Sequence, residues 1–133
     1  MKLAQLVKLT PKAVEKNVPN TRLKDAKVST LKKGNVRVVK AVVQRFVTGE
    51  VHEPHKVEIR GKTEGKVSEV DVLVWCDCGL QVYFGGEYVL TQKGASSTRY
   101  GNGDPPTTRN PNGVPYMCHH LVKLARLVLK KKV

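Results

Sequence analysis

Three cysteines and a pair of adjacent histidines are the residues of this chain whose types and spacing could do chemistry. Cys76 and Cys78 are one residue apart, and after a long spacer Cys118 is followed at once by His119 and His120. Thiolate sulfur and imidazole nitrogen are ordinary ligands of zinc, and three cysteines with one histidine fill a tetrahedral site completely. A site closed in this way leaves no position for water or substrate. Its expected role is structural: the ion ties distant parts of the chain together, and its binding energy becomes folding energy. At this level either His119 or His120 could supply the nitrogen. The odd number of cysteines, and their use within the two pairs, argue against a disulfide framework.

Other chemistries find no support in the pattern. His52 and His55 flank Glu53 and Pro54 in what reads as a loop, so they are not expected to bind metal. The zinc-deaminase pattern is missing, because Glu53 follows His52 directly and no Cys-x-x-Cys exists. Cys118 beside His119 is not a nucleophile and base, since sequence neighbours need not meet and no third residue orients the imidazole. A phosphate-cradling glycine loop of the Walker type is also missing. The chain is expected to be non-enzymatic, with no catalytic residue.

The elements needed to position the cysteines can be traced along the chain. Val36 to Val47 is a β-branched run, apolar on both faces, expected to be a strand buried on both sides. Lys56 to Arg60 alternates, with Val57 and Ile59 on one face. After a turn at Gly61 to Gly65, Val67 to Cys78 reads as a longer strand in which Val70, Val72, Val74, Cys76 and Cys78 share a side. The two thiols therefore point the same way. Gln81 to Leu90 is expected to continue the sheet, with a turn or bulge at Gly85 and Gly86. Residues 94–117, which hold four of the seven prolines, read as a long loop. Cys118 to Leu129 then places Leu121, Leu124, Ala125 and Val128 on one face of an amphipathic helix.

The fold class expected from this pattern is α+β: a mostly antiparallel sheet from about Val36 to Leu90, and a C-terminal helix joined to it by the metal site. Residues 36–133 form that domain. Residues 1–35 are a basic N-terminal segment with short helical turns: Leu3, Leu6 and Val7 recur at helical spacing, and Thr10 with Pro11 looks like a cap and first helical position. From Asn20 to Lys33 polar residues dominate, so this segment is either packed on the domain or an arm that orders against a partner.

Charge is distributed unevenly. The 133 residues carry 24 Lys and Arg against 11 Asp and Glu, a formal net charge of +13. Residues 1–45 hold twelve of those cations against Glu15 and Asp25 alone. Residues 67–122 are slightly acidic, and Lys130, Lys131 and Lys132 restore the excess at the C-terminus. Segregated positive charge is the footprint of an acidic partner, DNA or protein. Lys24, Lys27, Lys32, Lys33, Arg37, Lys130, Lys131 and Lys132 are its candidate contacts. No base-reading motif accompanies them, so DNA would be held by its phosphates. The lysine tail also complements the dipole of the helix it ends. No apolar run approaches the roughly 18 residues needed to span a bilayer, and Met1 to Thr10 lacks a signal-peptide core, so no membrane role is expected and a cytoplasmic protein is.

Cys76-Asp77-Cys78 followed by Cys118-His119-His120-Leu121 opening an apolar helix resembles the SWIM-type zinc finger, with its Cys-x-Cys, spacer and Cys-x-His. The resemblance covers roughly residues 56–129 and implies Cys76, Cys78, Cys118 and His120 as ligands of a structural zinc ion. This chain departs from the pattern in its longer spacer and in its basic N-terminal third. SWIM fingers are associated with DNA or protein contacts. The run from Gln92 to Leu121, with Tyr100-Gly101-Asn102-Gly103, Pro105-Pro106 and Asn110-Pro111, is also similar to small SWIM-like structural proteins of tailed bacteriophages. That resemblance implies a virion component, oligomeric in its particle, that contacts neighbouring subunits or DNA. The alternative it leaves is a SWIM-finger nucleic-acid-binding or protein-adaptor module of a cell.

Overall fold

Alternating burial along three short strands builds the centre of the molecule. The computed structural model describes residues 1–50, 52–78, 95 and 117–133. Their elements are helices α1 (Leu3–Leu9) and α2 (Lys12–Glu15), a 3-10 turn at Val18–Asn20, strands β1 (Thr21–Thr30), β2 (Arg37–Arg45), β3 (His55–Gly61) and β4 (Val72–Cys76), and helix α3 (His119–Lys131). The strands form one antiparallel meander in the order β1-β2-β3-β4. In register, Val39 lies opposite Ile59 and Ile59 opposite Val74; the next row joins Ala41, Val57 and Cys76. All six side chains are buried in the core. Because side chains alternate along a strand, this one face of the sheet carries the apolar set. Leu121, Leu124, Ala125 and Val128 of α3 are buried in the same cluster.

The α+β class and the antiparallel sheet with its C-terminal helix match the expectation, and the sheet begins earlier. Residues 1–35 are packed rather than free. Leu3 and Leu6 belong to the core, and β1 pairs with β2 from Thr21↔Arg45 to Thr30↔Arg37. Between Lys24 and Lys27 two residues of β1, Asp25 and Ala26, face one of β2, Ala41, a bulge in which Asp25 adopts φ 55°. One extra residue reverses the alternation. Lys24 and Lys27 consequently lie on the same outer face, opposite Val42 and Lys40, while Leu23 turns towards the core.

Four local expectations need correction. β2 is not buried on both sides: Val39, Ala41 and Val43 enter the core, whereas on the outer face Lys40 is exposed and only Val38 is fully covered. The strand expected over Val67 to Cys78 is shorter, because the N–H groups of Glu69 and Val70 both donate to the Lys66 carbonyl and wind Val67 to Val70 into a turn. Within β4 itself Val72, Val74 and Cys76 alternate inward as expected. Thr10 does not cap α2. Its hydroxyl donates back to the Leu6 carbonyl at 2.9 Å and accepts the Met117 N–H at 3.4 Å, so it closes α1 and leaves Pro11 at the N-cap of α2. His55 is the first residue of β3, not part of a loop. The strand expected over Gln81 to Leu90 and most of the loop at 94–117 fall outside the described residues; of that loop only Ala95 and Met117 are described, both fully buried.

Candidate metal centre

The strand alternation that buries Val72 and Val74 also buries Cys76, and Cys78 just beyond the strand end follows on the same side. The second pair comes from the other layer. Met117 is fully buried, and its N–H bond to Thr10 ties the chain entering α3 to the end of α1. Cys118 is the N-cap of α3, with extended backbone at φ −68° and ψ 166°, and its carbonyl accepts the Val122 N–H. His120 then lies in the first helical turn. One end of the sheet and one end of the helix therefore meet through four side chains.

Cys76, Cys78, Cys118 and His120 are all buried, and their ligand atoms lie within 4.8 Å of one another. The His120 Nδ1 is 3.9 Å from the Cys76 sulfur and 3.8 Å from the Cys118 sulfur. Around a tetrahedral zinc with Zn–S near 2.3 Å and Zn–N near 2.0 Å, such edges would measure about 3.5 Å. These two edges need only a few tenths of an ångström of contraction to close on an ion, and the widest separation in the cluster, up to 4.8 Å, needs about 1 Å. These residues could bind a metal ion, and they fit one in donor type, number and spacing.

Electrostatics point the same way. Burial pushes the Cys76 thiol far above its ordinary range, and the neighbouring thiols of Cys118 and Cys78 push it further. Burial raises Cys118 as well. Three buried thiols cannot ionise side by side, because each thiolate would be desolvated and repelled by the others. A divalent cation at their centre reverses that balance, since a coordinating thiol is deprotonated outright.

His120, not His119, faces the sulfurs. The His119 ring lies 4.0 Å from that of His120, tilted 40° to it, and its two ring nitrogens are buried with no hydrogen-bond partner among the described residues. Burial, followed by the neighbouring His120, lowers its pKa to about 4, so it is a neutral packing group. His120→Ala should abolish stoichiometric metal binding, whereas His119→Ala should retain it with a destabilisation of about 1–3 kcal/mol from lost packing. Metal content and melting curves of the two variants check this.

One neighbour was not anticipated. The His55 ring lies 4.7 Å from that of His120, and its Nδ1 donates to the Asp77 Oδ1 at 2.8 Å. Asp77 is the residue between the two cysteines, and its own N–H bonds the Lys56 carbonyl at 3.3 Å. This pair holds the Cys-x-Cys turn against β3. The sequence cue was the alternation His55, Val57, Ile59, which places His55 on the core face two residues before Val57. His52 instead pairs with Glu50 at 2.7 Å on the surface.

The candidate basic contacts fall in two places. Lys24 and Lys27 are on β1, Lys32 and Lys33 in the turn that follows, and Arg37 at the start of β2; all but the half-buried Arg37 are exposed. Lys130 and Lys131 occupy the last turn of α3, and Lys132 closes it in the left-handed conformation with φ 52°. Beyond them the Val133 carbonyl accepts the Ser68 N–H at 3.1 Å. Among the described residues no helix is long and apolar enough to cross a membrane. Comparison of the chain with protein-family models, with curated proteins and with solved structures gave no match.

Proposed function

We propose that this chain is a non-enzymatic, zinc-stapled assembly module of the SWIM-like kind, a component of a tailed-phage virion that contacts neighbouring subunits through its basic surfaces. The observation that carries the zinc reading is the closed donor set: three buried thiols and one buried imidazole within 4.8 Å, drawn from the sheet and from the helix. An ion held there has all four positions filled by protein, which suits a staple and leaves no place for an activated water. The assembly reading is supported by the exposed lysines of the β1–β2 hairpin, which project charge away from the stapled core. In this reading the protein works in the particle, and before assembly in the host cytoplasm.

Native mass spectrometry of protein purified without chelators tests both parts. One zinc per chain and defined oligomers are expected. A metal-free monomer would overturn the proposal.

The same lysines favour a second reading, a cellular SWIM-finger module that binds nucleic acid. Phosphate contacts would make duplex affinity fall steeply between roughly 50 and 200 mM salt. A flat salt profile would remove it.

A further inference from the structure

The two edges of the sheet are finished differently. On β4 the Val72 N–H donates to the Met1 carbonyl at 2.9 Å and the Val74 N–H to the Ala95 carbonyl at 2.8 Å, and Lys2 bridges to Asp71. That edge is covered. On β1, residues 24–30 are all exposed, and among the described residues its backbone hydrogen bonds run only to β2 and the hairpin. An edge strand turns the N–H and C=O of alternate residues away from its one partner, so β1 offers a row of donors and acceptors unpaired among the described residues.

The side chains beside that edge select what can use it. The bulge at Asp25 keeps Arg22, Lys24 and Lys27 on one face, and none of Lys24, Lys27, Lys32 or Lys33 has an acidic partner within 4.0 Å among the described residues. At the edge itself a groove of about 480 Å³ opens between the start of β1 and α3, lined by Thr21, Arg22, Leu23 and Lys24 of the strand and by Lys123 and Leu127 of the helix. Val28, on the inward side beyond the helix, is 54% exposed. A second copy of β1 would bring lysine against lysine, which is unfavourable. Nucleic acid would answer the charge and leave both the backbone row and the two leucines of the groove unused.

We infer that β1 is a docking edge for an extended acidic segment of another protein, which adds a fifth strand to the sheet. Its acidic side chains face Arg22, Lys24 and Lys27, and its alternate apolar side chains enter the groove beside Leu23 and Leu127. Backbone bonds supply affinity and the alternating pattern supplies selectivity. This rests on the assembly reading and names the surface and chemistry of its partner.

The test uses the full chain and a synthetic peptide alternating glutamate with valine. Binding should slow amide exchange along β1 by about tenfold or more and leave β4 unchanged. A peptide alternating glutamate with proline, equal in charge and unable to pair as a strand, should bind far more weakly. The double variant Lys24→Glu, Lys27→Glu should lose at least about tenfold in affinity for the acidic peptide and gain it for a lysine–valine peptide. Equal binding of the two acidic peptides, protection elsewhere than β1, or preferential protection of β1 by a single-stranded oligonucleotide would overturn the inference. Zinc and oligomer are measured on the same samples. Metal-free monomer would defeat the assembly module, whereas zinc-loaded oligomers without β1 protection would defeat the docking edge alone.

Discussion

Cys118→Ser is expected to strip the metal from the protein and unfold it. Cys118 is fully buried and supplies one of the four candidate ligands from the N-cap of α3, where its side chain makes no cap hydrogen bond, so a hydroxyl in place of the thiol weakens the joint between helix and sheet through the metal and not through the cap. Structural zinc contributes about 10–16 kcal/mol of apparent binding free energy in zinc-finger peptides. Domains of this kind are stable by only about 5–15 kcal/mol in total. Losing even half of the metal's contribution should therefore abolish the cooperative melt. The variant should contain no stoichiometric metal, and wild-type protein treated with a chelator should melt as the variant does. A variant that keeps both its metal and its melting temperature would show that the cluster is only a set of packed thiols.

Ile59→Ala should produce the largest loss that does not act through the metal. Ile59 is fully buried, lies between Val39 and Val74 in the central row of the sheet, and belongs to the cluster that includes α3. Truncating a buried isoleucine removes its transfer free energy and leaves a cavity, at a cost of about 2–5 kcal/mol. The denaturant midpoint should fall accordingly, and at low temperature the variant should still bind one metal ion per chain. Metal loss in parallel with stability would instead mean that the cluster cannot form unless this row is fully packed. A stability within about 0.5 kcal/mol of the parent would show that Ile59 contributes no core packing.

What the sequence determined by itself was whatever depends on a local period. Alternation along β4 put Cys76 on the core face with Val72 and Val74, and the helical spacing of Leu121, Leu124, Ala125 and Val128 marked the face that α3 buries. The candidate ligand pairs follow from those two patterns, together with the resemblance that preferred His120. β1 escaped notice because an edge strand with exposed side chains from Lys24 to Thr30 has no buried face to leave a pattern. Its pairing is decided by β2. The end of β4 at Val72 was hidden in the same way, since Val67 is as apolar and as buried as any strand residue and only the hydrogen bonds to Lys66 make a turn of it.

Tertiary structure alone decided which elements meet. It brought His55 beside His120 and bonded it to Asp77, 22 residues away in sequence. It tied Met117 to Thr10 across 107 residues, fixing where the second cysteine pair enters the site. It covered one sheet edge with the N-terminus and Ala95 and left the other without a second backbone partner among the described residues. These are contacts between residues remote in the chain, whose closure is favoured by burial and hydrogen bonding summed over the whole core and not by the preference of any single segment. A period records which way a side chain faces; it does not record what it will face.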